Sequence, residues 1–464
     1  MTLILIGLLL FLFSLIVGEY GWRGAVLFTI LSGFLQDPIR KLSEIDSSYY
    51  AAISLFFFIL TFFILRSRFK SWDLELFCWP NPIIISLLPA FFYLLILQGL
   101  NSFVRFNDIR LTTVGILFYI LPLISLWIGY QVACDLRFLR KVLIFYVSIC
   151  ALTGLSIFFS LLGLENNLLK EVGTGIEITG TGQGYSGLWR TSEIAGWHLA
   201  AGASFSFILG MSESKGFKQI LFFLITCSLT FLTIPTGRRK SLGLIIIFIA
   251  LYFLYYSLTG KSNRITKALG SLICVVILSV SSYGLVFNPN IQNTLEPFFD
   301  RSSTLTIEES QDRVRVQGIG AVLRGLEIAG PLGFGVGVGS NAGTTNIGSS
   351  RSNIQSLGYV SEGGGGRLIL ELGSIGIAFF SFLIIQVIVL YIKIFSLSRY
   401  LVVLGSDIVL GLALFTLANV VTFLSASQLY SDPFILIVLG LCSGAILAIP
   451  RIYLNTQSSY SKEV

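Results

Sequence analysis

Twelve apolar runs of bilayer-spanning length leave this chain one fold class. They fall at 2–18, 50–66, 82–99, 111–133, 141–164, 194–211, 218–235, 241–259, 267–287, 368–394, 401–424 and 433–450. A spanning helix needs roughly 17–25 mostly apolar residues, and inside a bilayer every backbone polar group must pair within the protein. The chain is therefore expected to be an all-α integral membrane protein, a polytopic bundle of about 12–13 transmembrane helices. The thirteenth depends on Gly24–Leu35, a short run that reads either as a span or as a re-entrant piece. Composition agrees: 54% of residues are hydrophobic and mean hydropathy is +0.84, above the roughly 45–50% apolar share of soluble domains. No repeat, coiled coil or linker interrupts the pattern, so residues 1–464 read as a single membrane domain. Residues 2–18 lack a basic leader and a cleavage site and read as a retained helix.

Lysine and arginine collect at Arg66, Arg68, Lys70, Arg137, Arg140, Lys141, Lys215, Lys218, Lys261, Arg264, Lys267, Lys393, Arg399 and Arg451. Alternating spans put these on one face, which the positive-inside bias assigns to the cytoplasm. The loops 165–192 and 288–367 then share the extracytoplasmic face. The N-terminus lies outside if Gly24–Leu35 spans and inside if it does not. The net charge of +7, from 31 basic and 24 acidic residues, suits anionic headgroups or an anionic substrate. No basic tract points to nucleic acid. Six cysteines without a CxxC pair and a single histidine, His198, indicate neither a disulfide framework nor a metal site.

The long loop 288–367 is where chemistry is expected, because irregular polar backbone beside a bilayer persists only where protein covers it or a wet cavity meets it. It ends in Glu362, four consecutive glycines and Arg367, and then runs into an apolar helix. The glycines suit a sharp bend or close approach to a ligand. Glu362 is a candidate general base, its proton affinity raised by desolvation and lowered by Arg367. Earlier in the loop, apolar residues 314, 319, 322, 323 and 326 recur at helical spacing, predicting an amphipathic helix on the membrane surface. The glycine ladder Pro331–Ser340 that follows has no P-loop lysine and is not a nucleotide motif.

Two further clusters carry charge. Gly187-Leu188-Trp189-Arg190-Thr191-Ser192-Glu193 leads into a helix, with Thr191 or Ser192 as its cap and Glu193 in its first turn. His198 lies five residues further on, as a packing residue or a base. Arg238, Arg239 and Lys240 occupy a tight turn on the outer side, where the topogenic bias disfavours three positive charges. Either the turn is simply solvated, its long stems snorkelling, or its guanidinium groups grip phosphate oxygens bidentately.

Together with Thr236-Gly237-Arg238-Arg239, Pro331-Leu332-Gly333-Phe334-Gly335-Val336-Gly337, Leu370-Glu371-Leu372-Gly373-Ser374-Ile375-Gly376 and the early Gln36–Leu42, this pattern resembles the O-antigen polymerase and ligase superfamily of membrane glycosyltransferases. Its exopolysaccharide polymerases are the nearest members. The resemblance implies a GT-C-like polymerase or ligase fold in a bacterial inner membrane, with the site facing the periplasm or exterior. It implies polymerisation of oligosaccharide repeat units carried on polyprenyl pyrophosphate, with lipid-linked glycan as donor and acceptor. Arg190, Arg367, Arg238, Arg239, Arg313 and Arg351 would then hold pyrophosphate, Glu362 would be the base, and Glu193 and His198 would be possible acceptor contacts. No metal or other cofactor is expected, since guanidinium groups can carry the charge. Membrane lipid and a chain-length regulator or flippase are the expected partners.

Ligases of the superfamily carry a His-Asn pair about nine residues before the Glu-Leu-Gly motif. Here that position holds Glu362-Gly363, which favours polymerisation over ligation. A lipid-linked glycan flippase remains the alternative of another class. It would carry inverted repeats and broken midplane helices, and neither is read in the sequence.

Overall fold

The computed structural model describes residues 2–42, 51–69, 83–164, 166–170, 184–213, 216–258, 315–316, 320–339, 363–398, 406–425, 430 and 432–452. Among them the chain is helical, with no strand: α1 Thr2–Tyr20, α2 Trp22–Leu42, α3 Ala51–Arg68, α4 Ile83–Phe106, α5 Ile109–Ala133, α6 Leu136–Leu161, α7 Ser192–Ser212, α8 Phe217–Thr233, α9 Arg239–Leu258, α10 Ala321–Ala329, α11 Gly364–Ser398, α12 Ser406–Ser425 and α13 Pro433–Leu447. Seven stretches among the described residues are long and apolar enough to cross a membrane, and three shorter apolar helices accompany them. The protein is an α-helical membrane protein. The expected span 267–287 lies outside the described residues. Large apolar side chains that stay exposed, such as Ile96, Leu100 and Val104 on α4 and Ile384, Ile385 and Ile388 on α11, are what lipid-facing helix surfaces require.

The chain divides into two compact units, Met1–Trp72 with Asp135–Thr304 and Asp73–Cys134 with Leu305–Val464. In the first, α7 is the hub, and its whole apolar window is buried. Ala200, Ala201, Gly202, Ala203 and Ser204 keep it thin enough for α6, α8 and α9 to pack around it. The short run 24–35 belongs to a longer helix: α2 carries on through Pro38 to Leu42, 21 residues in all. Hydropathy hides its length because its last turns hold Gln36, Asp37, Arg40 and Lys41. Asp37 and Lys41 are buried, and Gln36 accepts from the Ser54 hydroxyl at 2.7 Å. The hydroxyls of Thr29 on α2 and Thr61 on α3 share a hydrogen bond at 2.8 Å.

In the second unit α5 and α13 are packed along small residues. Gly440 and Gly444, a GxxxG pair on α13, face Ser125 and Gly129, spaced four apart on α5. Asp432 caps α13, accepting from the amides of Phe434 at 2.9 Å and Ile435 at 3.0 Å, with Pro433 at the first helical position. Asp432→Ala is expected to lower stability by about 1–2 kcal/mol and Asp432→Asn by much less. The thermal midpoint of the detergent-purified protein reads both.

Of the expected amphipathic helix, the described part Ala321–Ala329 has Leu323 exposed and a buried face of Ala321, Gly325 and Ala329. Small side chains line the buried face. They let α10 approach α11 closely, and an added Cβ on Gly365 would lie 2.9 Å from Val322.

Candidate functional site

Two groups of charged residues stand out, one in each unit. In the first unit the N-terminal ends of α7 and α9 lie side by side. Arg238 Nε donates to the hydroxyl of Ser192, the first residue of α7, at 3.1 Å. A Cβ on Gly196 of α7 would lie 2.6 Å from Ser241 Oγ of α9. Gly237, with φ 67°, ends the short 3-10 turn Ile234–Thr236 and lets the chain reverse into α9. Thr191 caps α7, accepting from Ile194 N at 3.4 Å, so the cap expected at Thr191 or Ser192 is Thr191.

Arg190 precedes this cap and is set there by a framework of buried groups. Its backbone N–H donates to Asp37 Oδ2 at 3.2 Å. Lys41, one helical turn beyond Asp37 on α2, donates to the Gly187 carbonyl at 2.6 Å and to Ser186 Oγ at 3.2 Å. Gly187 has φ 55° and sits against Ser156 of α6, whose hydroxyl accepts from Leu188 N at 2.9 Å. Tyr185 N donates to the Pro235 carbonyl at 3.0 Å, and partial burial raises the pKa of the Tyr185 hydroxyl. The turn 184–190 is thus tied to α2, α6 and the approach to α9.

This arrangement gathers Arg190, Arg238, Arg239 and Lys240, all half-buried, where two helix N-termini meet. Arg239 and Lys240 lie in the first turn of α9, where the dipole disfavours cations. The fold therefore brings basic residues to one place, with Asp37 and Glu193 beside them. The buried Ser241 Oγ beside it has no hydrogen-bond partner among the described residues. Such a group needs a partner of some kind. Glu193 is the acid of the first turn of α7 and is half-buried. His198 is buried in a box of rings: Trp189 stacks on it at 6.3 Å, Phe34 and Trp197 lie at 5.1 Å, and its Nδ1 shares a 2.7 Å hydrogen bond with Tyr146. Those are the surroundings of a packing residue.

In the second unit α11 is broken. Gly373 has φ 66° and ψ −174°, so the helix stops after Leu372 and restarts beyond it. The glycine ladder heals the break. Phe334 N and Gly335 N donate to the carbonyls of Leu370 and Glu371 at 2.8 and 3.0 Å, and Ser374 N and Ile375 N donate to those of Gly330 and Pro331 at 3.2 Å. Gln98 and Asn101 of α4 hold the same strap through the carbonyls of Leu332 and Gly333. Covered this way, irregular backbone is tolerated at membrane depth.

The half-helix before the break carries Arg367 and Glu371, both buried, with Arg367 Nε and Glu371 Oε1 at 3.4 Å. The glycine run ahead of it forms the first turn of α11 from Gly364 and serves packing: an added Cβ at Gly364 would lie 2.3 Å from the Phe423 ring. Close helix contact is what Gly364 provides. Glu362, Arg313 and Arg351 lie outside the described residues.

Sequence reasoning passed over Asp37, Lys41 and Tyr119 as site residues and used Glu371 only as part of a motif. The signal was available for the first two: ionisable residues running on from an apolar helical segment are rare inside a membrane protein and are usually paired. A scan against family models, a search of curated proteins and a search of solved structures each find no match for this chain.

Proposed function

We propose that the chain is a membrane glycosyltransferase of GT-C-like architecture that polymerises oligosaccharide repeat units carried on polyprenyl pyrophosphate, at the extracytoplasmic face of a bacterial inner membrane. The observation that carries this reading is the meeting of two helix N-termini with Arg190, Arg238 and Arg239. Positive ends of helices, backbone N–H groups and guanidinium forks are what a pyrophosphate recruits.

In the reaction the acceptor hydroxyl oxygen attacks the anomeric carbon of the donor glycan, and the bond from that carbon to the pyrophosphate oxygen breaks. The hydroxyl proton passes to the Glu362 carboxylate. The electron pair of the broken bond leaves on polyprenyl pyrophosphate, where Arg190, Arg239 and Arg367 stabilise the growing charge, Arg238, Arg313 and Arg351 being the further candidates. Preorganisation is the contribution of Asp37 and Lys41, which fix the turn bearing Arg190 before substrate arrives.

A flippase for lipid-linked glycan is the second reading, favoured by the break at Gly373 and the buried Arg367–Glu371 pair beside it. One experiment separates the two. In cells deleted for this chain, lipid-linked saccharide is resolved on gels and probed with a membrane-impermeant glycan label. Single repeat units labelled from outside, chased to polymer by the wild-type chain, are expected. Units sealed inside would overturn polymerisation in favour of the flippase, and lipid-linked polymer of normal length would indicate a ligase.

A further inference from the structure

Glu371 is the most enclosed charged group among the described residues, fully buried at 0% exposure. Its carboxylate accepts from donors in three parts of the second unit. Oε1 accepts from Arg367 Nε at 3.4 Å and from Gly339 N, at the end of the glycine strap, at 3.1 Å. Oε2 accepts from the Tyr119 hydroxyl of α5 at 2.6 Å. A carboxylate held by three donors has its own orientation fixed by them. What it can do is orient. Arg367 lies one helical turn earlier on the same half-helix, and its guanidinium carbon sits 5.3 Å from the centre of the Phe118 ring. The ring fixes one face of the guanidinium and Glu371 fixes its Nε edge, which together set the direction of the two terminal nitrogens.

We infer that Glu371 is a positioning residue, holding Arg367 for the pyrophosphate of a polyprenyl-linked donor, with Tyr119 and the Gly339 amide holding Glu371 in turn. This rests on the reading of the chain as an enzyme that uses lipid-linked pyrophosphate. The glycine strap then has a second role besides healing the helix break. It brings a backbone N–H to the carboxylate, which a side chain at Gly339 would obstruct: an added Cβ there would lie 2.8 Å from Arg367 Cγ.

The test is a double-mutant cycle on the full-length, detergent-purified protein, with sugar-free undecaprenyl pyrophosphate as the binding probe and undecaprenol as the control. Arg367→Ala and Glu371→Gln are each expected to weaken binding roughly tenfold, the scale of a charge-assisted hydrogen bond, while the double variant is no weaker than Arg367→Ala alone. Tyr119→Phe, which keeps the ring and removes only the hydroxyl, is expected to weaken binding about threefold and to have no effect in the Arg367→Ala background. It keeps the proposal open to refutation even where Glu371→Gln does not fold. Glu371→Gln binding like wild type, a Tyr119→Phe effect that persists without Arg367, or single effects that multiply would each overturn the positioning role. Failure of the wild type to bind the probe would overturn it together with the pyrophosphate reading. Coupled binding by a protein that never extends a glycan would retain the positioning role and remove the polymerase.

Discussion

Arg190→Glu is expected to abolish polymer while leaving the protein folded. The argument turns on the opposite demands of fold and function at one position. Arg190 precedes the Thr191 cap of α7, and a carboxylate near a helix N-terminus is favoured by the dipole by about 0.3–1 kcal/mol. The backbone bond from residue 190 to Asp37 does not depend on the side chain. Close approach to Asp37 adds some repulsion, so Arg190→Gln, which carries no charge, is the companion variant. For a bound pyrophosphate the same change replaces a bidentate donor with a like charge. Losing one preorganised donor at an oxyanion costs on the order of 10²–10³ in rate, and reversing the charge costs more. Arg190→Lys keeps the charge without the fork and should retain part of the activity. Polymer length on gels, with membrane protein level and thermal midpoint measured for each variant, reads the prediction. Normal polymer from Arg190→Glu would remove Arg190 from the site.

The helical membrane class was legible because apolar length is a one-dimensional property that needs no knowledge of partners. α2 shows where that stops. Its final turns read as polar because Asp37 and Lys41 are charged, yet both are buried, bonded to the turn 184–190 from a distant part of the sequence. A charge in a sequence does not disclose its counter-group. Glycines were equally ambiguous. The run 363–366 suggests a bend or close approach to a ligand, and the ladder 331–340 excludes only a nucleotide motif. Only the fold distinguishes the Phe423 ring that meets Gly364 from the backbone pairing that closes the break at Gly373. That break was invisible as a break because the apolar run 368–394 continues beyond it at spanning length. Arg190, Arg238 and Arg239 were identified from sequence on the strength of charges the topogenic bias disfavours. What the sequence lacked was their shared location at the ends of α7 and α9, which depends on how two helices far apart in the chain pack together.

Gly444→Val is expected to have the largest effect on stability. At Gly444 an added Cβ would lie 1.9 Å from the Leu126 carbonyl oxygen and 2.7 Å from Tyr130 N, and at Gly440 it would lie 2.3 Å from Ser125 Cβ. The opposing Gly129 is equally tight, 2.2 Å from the Leu441 carbonyl. These neighbours are mostly backbone, so no rotamer change relieves the clash and α5 and α13 must separate. In a membrane that separation is costly for a specific reason: lipid already solvates apolar side chains, so close van der Waals contact, more than hydrophobic burial, holds helices together. Overpacking of this kind costs about 1–3 kcal/mol where a side chain can yield, and more is expected here. Gly243→Ala on α9 is the control, since nothing lies within 4 Å of an added Cβ. It is expected to be neutral or to gain up to about 1 kcal/mol from the better helix former. Thermal midpoints and yields in detergent separate the cases. A Gly444→Val protein as stable as Gly243→Ala would mean that α5 and α13 do not pack through these glycines, and the second unit would lose the interface that anchors its C-terminal helix.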